Sequence, residues 1–419
     1  MSDFIFRTVP TSVPVTPEMR AWQDAVRLGF GMSDGPDEAY DHWAVDVVAD
    51  GYRLDAAYAT PPALAPVAEL EQPVATFASG AKTVNVGGGR LEPALFISEV
   101  TVRTTHRRRG LLKRLMLDAL TRAKADGLAL ATLTASEGAI YGRFGFGIST
   151  EHRSVRLDTG PRLAWSREVE PRVVLTPAAD SQAVREEVFA RFHARTRGSH
   201  ERPHFYAKSK TGVWEYDTDS AHRELRVAVH WDADGAPDGV LTYAVNESEQ
   251  SVRVWDFVTA GAEAELALWQ YLGSIDLVTG VVFRHLGPDS PLRWALADPR
   301  VLTTTGVEDY TWTRLLDVPG ALQARGWDAD GEARLEVIDP LGFAAGTWRV
   351  AASAGRAEVT RSTDAPLRVE ARALGSLYFG LADARALAQA GQIHGPDDEV
   401  ARLAALFRTD TAPYNLAAF

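Results

Sequence analysis

The 419-residue chain contains no cysteine. That absence removes disulfide frameworks, thiolate metal sites and cysteine nucleophiles together, and it suits a reducing compartment. Long apolar runs are missing as well, since no window reaches the ~18 residues of a membrane-spanning helix. The segment Met1–Pro10 mixes Asp3 and Arg7 among its apolar positions, unlike a secretory signal. A cytoplasmic protein without a membrane partner is expected. No fixed-period repeat, low-complexity tract or sustained heptad occurs, which argues against solenoids and coiled coils. Positive charge is in deficit: 44 Lys and Arg against 56 Asp and Glu leave a formal net charge of −12. Such a surface repels nucleic acid phosphates and would concentrate a small polycation, although the same charge also serves solubility alone.

With 46% of its residues apolar, a chain of this length suits two or three hydrophobic cores. Glu18–Gly31 reads as a helix, and Trp43–Val48 and Val74–Val86 read as strands, with Gly87–Gly89 as a hairpin turn. Leu95–Val102 reads as a buried strand, and Leu111, Leu115, Met116, Ala119, Leu120 and Ala123 recur at helical spacing. Gly127 is placed to end that helix before a strand over Leu128–Thr134, a strand–helix–strand unit with parallel pairing. Ser136 is placed to cap a short helix that follows. A second α/β unit runs from about His152, with helices at Gln182–Arg197 and Ala262–Leu272 around three strands. Beyond Pro299, strands such as Thr311–Leu316 and Arg334–Ile338 precede helical stretches, which reads as a third, α+β unit.

The chemistry concentrates in Thr104–Leu112, TTHRRRGLL, between the strand ending at Val102 and the long helix. A loop entering a helix presents backbone N–H groups without intrahelical partners, and these converge with the positive end of the helix dipole on an anion. Gly110 leaves room for close approach of a phosphate, and Arg107, Arg108 and Arg109 add charge. An arginine run by itself is equally compatible with a solvated loop. In this position the loop resembles the acetyl-CoA signature of GNAT N-acetyltransferases, Gln or Arg followed by x-x-Gly-x-Gly/Ala. Arg107 and Gly110 match, and Leu112 stands where that pattern has Gly or Ala. The wording HRRRGLL is similar to that of the enhanced-intracellular-survival (Eis) family, as are TASEGAIYGRFGFG at Thr134–Gly147, DSPLRWALADPR at Asp289–Arg300, WTRLLDVPGALQARGW at Trp312–Trp327 and ALGSLYFG at Ala373–Gly380.

The resemblance spans most of the chain. It implies an α/β and α+β fold of two tandem GNAT-like domains, at 1–152 and 153–299, each a mixed sheet with flanking helices. A sterol-carrier-protein-like domain at 300–419 would follow. It implies acetyl-CoA as co-substrate and no metal, a single CoA loop per chain, aminoglycosides as the amine substrates and a homo-hexamer. By the same resemblance the backbone of His106, Arg107, Arg108, Arg109, Gly110, Leu111 and Leu112 holds the pyrophosphate. Val100 and Val102 pair with the pantetheine arm like an added strand, and Ser136 is counted with the cofactor-binding residues. Tyr141 would donate a proton to the departing thiolate, a task that suits a phenol with a pKa near 10.

Two groups compete as the base that takes the proton of the amine. The resemblance points to the carboxylate of Phe419 reaching back into the first domain. The residues themselves point to Glu99, a carboxylate inside an apolar strand beside the CoA loop, where alternation sets it on the opposite face from Ser98 and Val100. Burial there would raise its pKa toward a useful value. Asp34, Asp37 and Glu38 form an acidic cluster near Trp43, so Asp34 and Trp43 are expected to line the cationic substrate's pocket. Acetylation of lysine or polyamine amines is an alternative activity, and lipid or sterol binding by the last domain is an alternative of another class.

Overall fold

The computed structural model describes residues 4–59 and 71–419. The first unit runs β1 (Phe4–Val9), α1 (Pro17–Gly29), α2 (Asp37–Ala49), β2 (Arg53–Ala59), β3 (Ala75–Asn85), β4 (Leu91–Val102), α3 (Leu111–Ala125), β5 (Leu130–Thr134), α4 (Gly138–Tyr141) and β6 (Gly147–Ile148). The second runs β7 (Glu151–Asp158), β8 (Val173–Thr176), α5 (Gln182–Arg195), α6 (Phe205–Thr211), β9 (Arg226–Trp231), β10 (Pro237–Asn246), β11 (Ser251–Thr259), α7 (Ala262–Gly273), β12 (Gly280–Leu286), α8 (Leu292–Ala295) and β13 (Leu302–Asp309). After β14 (Thr311–Leu315) come α9 (Val318–Ala324), β15 (Gly331–Ile338), β16 (Gly346–Ser353), β17 (Arg356–Arg361), β18 (Leu367–Glu370), α10 (Ala371–Tyr378), α11 (Ala384–Gln389), β19 (Ile393–His394) and α12 (Asp397–Phe407).

Three sheets follow, with strand orders β1-β2-β3-β4-β5-β14-β6, β13-β7-β12-β11-β10-β9-β8 and β17-β16-β15-β18-β19. Local chemistry explains the elements that frame the site. α1 begins where the Thr16 hydroxyl accepts the Met19 N–H at 3.2 Å with Pro17 next in line. α3 buries Leu111, Leu115, Met116, Ala119, Leu120 and Ala123 on one face, and Gly127, at φ 83°, turns the chain so that the Leu128 N–H reaches the Ala123 carbonyl at 2.9 Å. The β3–β4 hairpin turns through Gly87, Gly88 and Gly89, all at positive φ. β4 and β5 are parallel, pairing Leu95 with Ala131 through Ile97 with Leu133. Among the described residues no helix is long and apolar enough to cross a membrane.

Four expectations fail. Trp43–Val48 is the second half of α2, not a strand: Tyr40, Trp43, Ala44 and Val47 are buried at helical spacing, and the clustered valines had imitated a strand. Ser136 does not cap α4; Glu137 occupies that position and no side chain bonds the helix start. The unit expected from residue 300 does not own its first two strands. β13 is the edge of the second sheet beside β7, and β14 lies between β5 and β6 in the first. The break expected at 152/153 likewise falls inside β7. Alternation marks a strand but not its partner, and here both partners lie more than a hundred residues upstream. The third unit is fused to the first: its core continues into Val84, Phe96, Leu130 and Leu315. There, Arg314 and Asp339 form a fully buried ion pair at 2.6 Å.

Candidate active site

The loop before α3 leaves its helix start open. Gly110 sits at φ 80° at the helix start, no side chain caps the first turn, and a Cβ there would meet no protein atom within 4 Å. The first-turn N–H groups therefore face open space. Arg107, Arg108 and Arg109 are exposed around it. The His106 ring is instead packed, bonded through Nδ1 to the Thr105 hydroxyl at 2.9 Å and set edge-on to Phe4, so its contribution to a ligand is backbone.

Beside this loop, β4 and β5 part. Their pairing stops at Ile97, yet β4 continues to Val102 with β3 on its other side. Val100 and Val102 thus belong to a stretch whose β5-facing edge has no strand partner among the described residues. Within it the β3–β4 register slips and Glu99 takes φ 49°. This bulge corrects the simple alternation expected for Glu99, since bulges re-aim side chains next to functional sites. The Glu99 carboxylate receives the Trp43 indole N–H at 3.1 Å. Burial, opposed by that bond, pushes its pKa from 4.5 to about 7.

A cleft of about 500 Å³ opens at the parting and is bordered by Glu99, Val100, Thr134, Ser136, Tyr141 and Phe419. Tyr141 ends α4 with its ring edge-on to Phe146, and burial, aided by Glu137, pushes its hydroxyl up to about 12. Phe419 arrives from the far end of the chain: its ring lies 4.3 Å from Phe96, and its oxygen accepts the Thr134 hydroxyl at 2.8 Å. A second cavity, of about 570 Å³, lies on the other side of Glu99 and Phe419, and Tyr310 and His285 also border both. The two spaces therefore share one wall, where the two candidate bases stand.

The second cavity is acidic, but not from the expected cluster. Trp43 lines it; Asp34 is exposed outside its wall, Asp37 pairs with Arg20 and Glu38 with His42. The acids that do line it include Asp46, Asp50, Glu215, Asp217 and Asp256. Ion pairs with Lys208, Lys82 and Arg202 engage Asp46, Asp50 and Asp256. Glu99, Glu215 and Asp217 form no ion pair among the described residues, and the Lys210 ammonium, which lines the same cavity, offsets part of their charge. Sequence reading missed Tyr206, on α6, and Glu215 and Tyr310, on connecting segments, because nothing local marks them as facing the first unit.

Models of the acetyltransferase (GNAT) domain match residues 16–149 and 199–315, and a sterol carrier protein domain matches 318–416. An uncharacterized N-acetyltransferase of Streptomyces griseus is 34% identical over 417 residues, covering 96% of this chain and 97% of the relative. The N-acetyltransferase Eis of Mycobacterium tuberculosis is 32% identical over 346 residues, 78% of this chain and 81% of the relative. The crystal structure of Eis1 from Mycobacterium abscessus superposes with a TM-score of 0.82 at 26% identity, over 99% of this chain and all of that one. The chain belongs to the Eis family of GNAT N-acetyltransferases. GNAT domains use acetyl-CoA, and the residues of this Eis-family chain fit it: an open, uncapped helix start with Gly110 leaves room for a pyrophosphate, and the unpaired edge at Val100 and Val102 suits an extended amide chain. The second GNAT-like unit of the Eis chain has acids, Glu263 and Glu265, in the first turn of the corresponding α7.

Proposed function

We propose that the protein transfers acetyl from acetyl-CoA directly to a primary amine of a cationic small molecule, with aminoglycosides as the class the sequence resemblance implies. The observation that carries this reading is the meeting of Glu99, Tyr141 and Phe419 on one cleft beside the parted strands. Bound acetyl-CoA supplies an acetyl thioester. Glu99, titrating near 7, takes the proton that the substrate ammonium must lose before its nitrogen can attack. Tyr141 keeps its proton at neutral pH, delivers it to the sulfur as the carbonyl–sulfur bond breaks, and recovers a proton from the newly acylated nitrogen. The Phe419 carboxylate, a weaker base by its ordinary pKa, attracts and orients the cation together with Glu215 and Asp217. A homo-hexameric assembly in the cytoplasm is part of the same proposal, and light scattering tests the assembly. Thiol release with acetyl-CoA and, in turn, a kanamycin-like aminoglycoside, a lysine-bearing peptide and a linear polyamine tests the substrate class. The aminoglycoside should give the highest kcat/KM, and no amine-dependent release with any of the three would reject the reading.

A further inference from the structure

The second unit repeats the topology that opens the acetyl-CoA cleft in the first. β11 and β12 are parallel and joined by α7, as β4 and β5 are by α3, and their pairing also stops after three residues, Ser251 with Gly280 through Arg253 with Val282. β11 then continues to Thr259 and β12 to Leu286, so the strands part in the same way. The opening cannot take a nucleotide pyrophosphate on the same terms. Glu263 and Glu265 occupy the first turn of α7, where like charge would oppose a phosphate.

We infer that this second opening is a seat for the chain's own C-terminal arm, and that Tyr414 is the positioning residue that sets Phe419 at the active site. The Tyr414 hydroxyl donates to the His285 carbonyl of β12, beyond the last residue paired with β11. Its N–H reaches the Arg197 carbonyl at 2.9 Å, and its ring stands edge-on to Phe192 at 5.8 Å. A Cβ on Gly287, just after β12, would lie 3.1 Å from the Tyr414 ring, so the glycine makes room for it. Next to it, the Ala412 N–H meets the Asp289 carboxylate at 2.6 Å.

From this anchor the arm runs to the active site without regular secondary structure, held at each step by the second unit. Asn415 Oδ1 accepts the His200 N–H at 3.0 Å, and the Tyr206 hydroxyl accepts the Ala418 N–H at 2.8 Å. Phe419 lies five residues beyond Tyr414, a span of about 17 Å at full extension, so a loosened anchor lets Phe419 shift by more than a hydrogen bond tolerates. A fold that binds acetyl-CoA in one copy thus holds a peptide in the other.

This inference rests on the proposed role of Phe419, and two separate readouts keep the pair distinguishable. Full-length Tyr414→Ala and Gly287→Leu attack the seat from the arm and from β12. Tyr414→Phe removes only the bond to His285 and guards against loss of folding. Hydrogen exchange of the arm amides, followed by mass spectrometry, should speed up about tenfold or more in the first two variants and less in the third, with α3 and β10 unchanged. The amine kcat/KM should fall about tenfold or more while the acetyl-CoA KM stays within about twofold. Fast arm exchange with normal turnover would support the seat and remove Phe419 from the proposed mechanism. Arm amides that stay protected in both Tyr414→Ala and Gly287→Leu would overturn the seat.

Discussion

The indole N–H of Trp43 meets the carboxylate of Glu99 across 3.1 Å, and it joins the helix that walls the cavity of about 570 Å³ to the bulge in β4. The bond favours the charged carboxylate, and the enclosure works against it. Enclosure wins, so Glu99 titrates near 7 and can take a proton at physiological pH.

Removing the bond should therefore push the titration further up. Trp43→Phe keeps most of the packing against Trp22, whose ring lies 5.8 Å away, but deletes the donor. The acidic limb of the amine kcat/KM profile should move to higher pH. An unchanged limb, in a variant with normal acetyl-CoA affinity, would show that Glu99 does not set it.

Glu99 also has a stability signature. Its folded-state pKa, about 7, lies above the ordinary 4.5, so the folded state holds a proton that the unfolded state has lost between those values. That contribution is present below about pH 4.5 and fades as pH rises through 7. Glu99→Gln escapes the loss. It should be more stable than the parent at pH 8 by about 3 kcal/mol, and nearly equal to it at pH 4.5. Thermal melts at the two pH values check this, and equal differences at both would contradict it.

Tyr141→Phe should lower kcat by about a hundredfold, the range for loss of a general acid, with acetyl-CoA affinity little changed. Its ring would keep the edge-on contact with Phe146, so folding is not at stake. Thiol release at saturating acetyl-CoA is the measurement, and a near-normal kcat would mean that the sulfur departs without this proton.

Gly110→Asp should raise the acetyl-CoA dissociation constant by about a hundredfold or more, because it sets a negative side chain in the open space over the α3 start. The left-handed φ of 80° adds backbone strain on the order of 1 kcal/mol, so a small fall in melting temperature should accompany it. Calorimetry showing unchanged affinity would remove this loop from the site.

Much of this site was legible in the residues. The spacing of Leu111 to Ala123 marked α3, and the loop ahead of it marked a candidate anion site, because both signals are local. Tyr141, Glu99 and Phe419 were legible in different ways: the first and last through family wording, Glu99 through a charge out of place in an apolar strand. What could not be read is long-range. Nothing near Thr311–Leu315 says that this strand completes a sheet begun three hundred residues earlier. Asp34 looked as suitable as any acid, yet the cavity draws on Asp46 from the same unit and Glu215 from another. Trp43 does line the cavity bordered by Glu99, although its helix was misread as a strand.

The ratio of amine kcat/KM between the parent chain and Glu99→Gln, followed from about pH 5 to 9, bears most directly on how acetyl is transferred here, because the parent uses the ammonium form through Glu99 and the variant only amine that has already lost its proton. The parent profile should rise about tenfold per pH unit up to about 7, where Glu99 becomes charged, and level off there, while that of Glu99→Gln should go on rising toward the amine's own pKa. The ratio therefore stays high and constant below about 7 and falls above it. A ratio near one at every pH would contradict proton removal by Glu99.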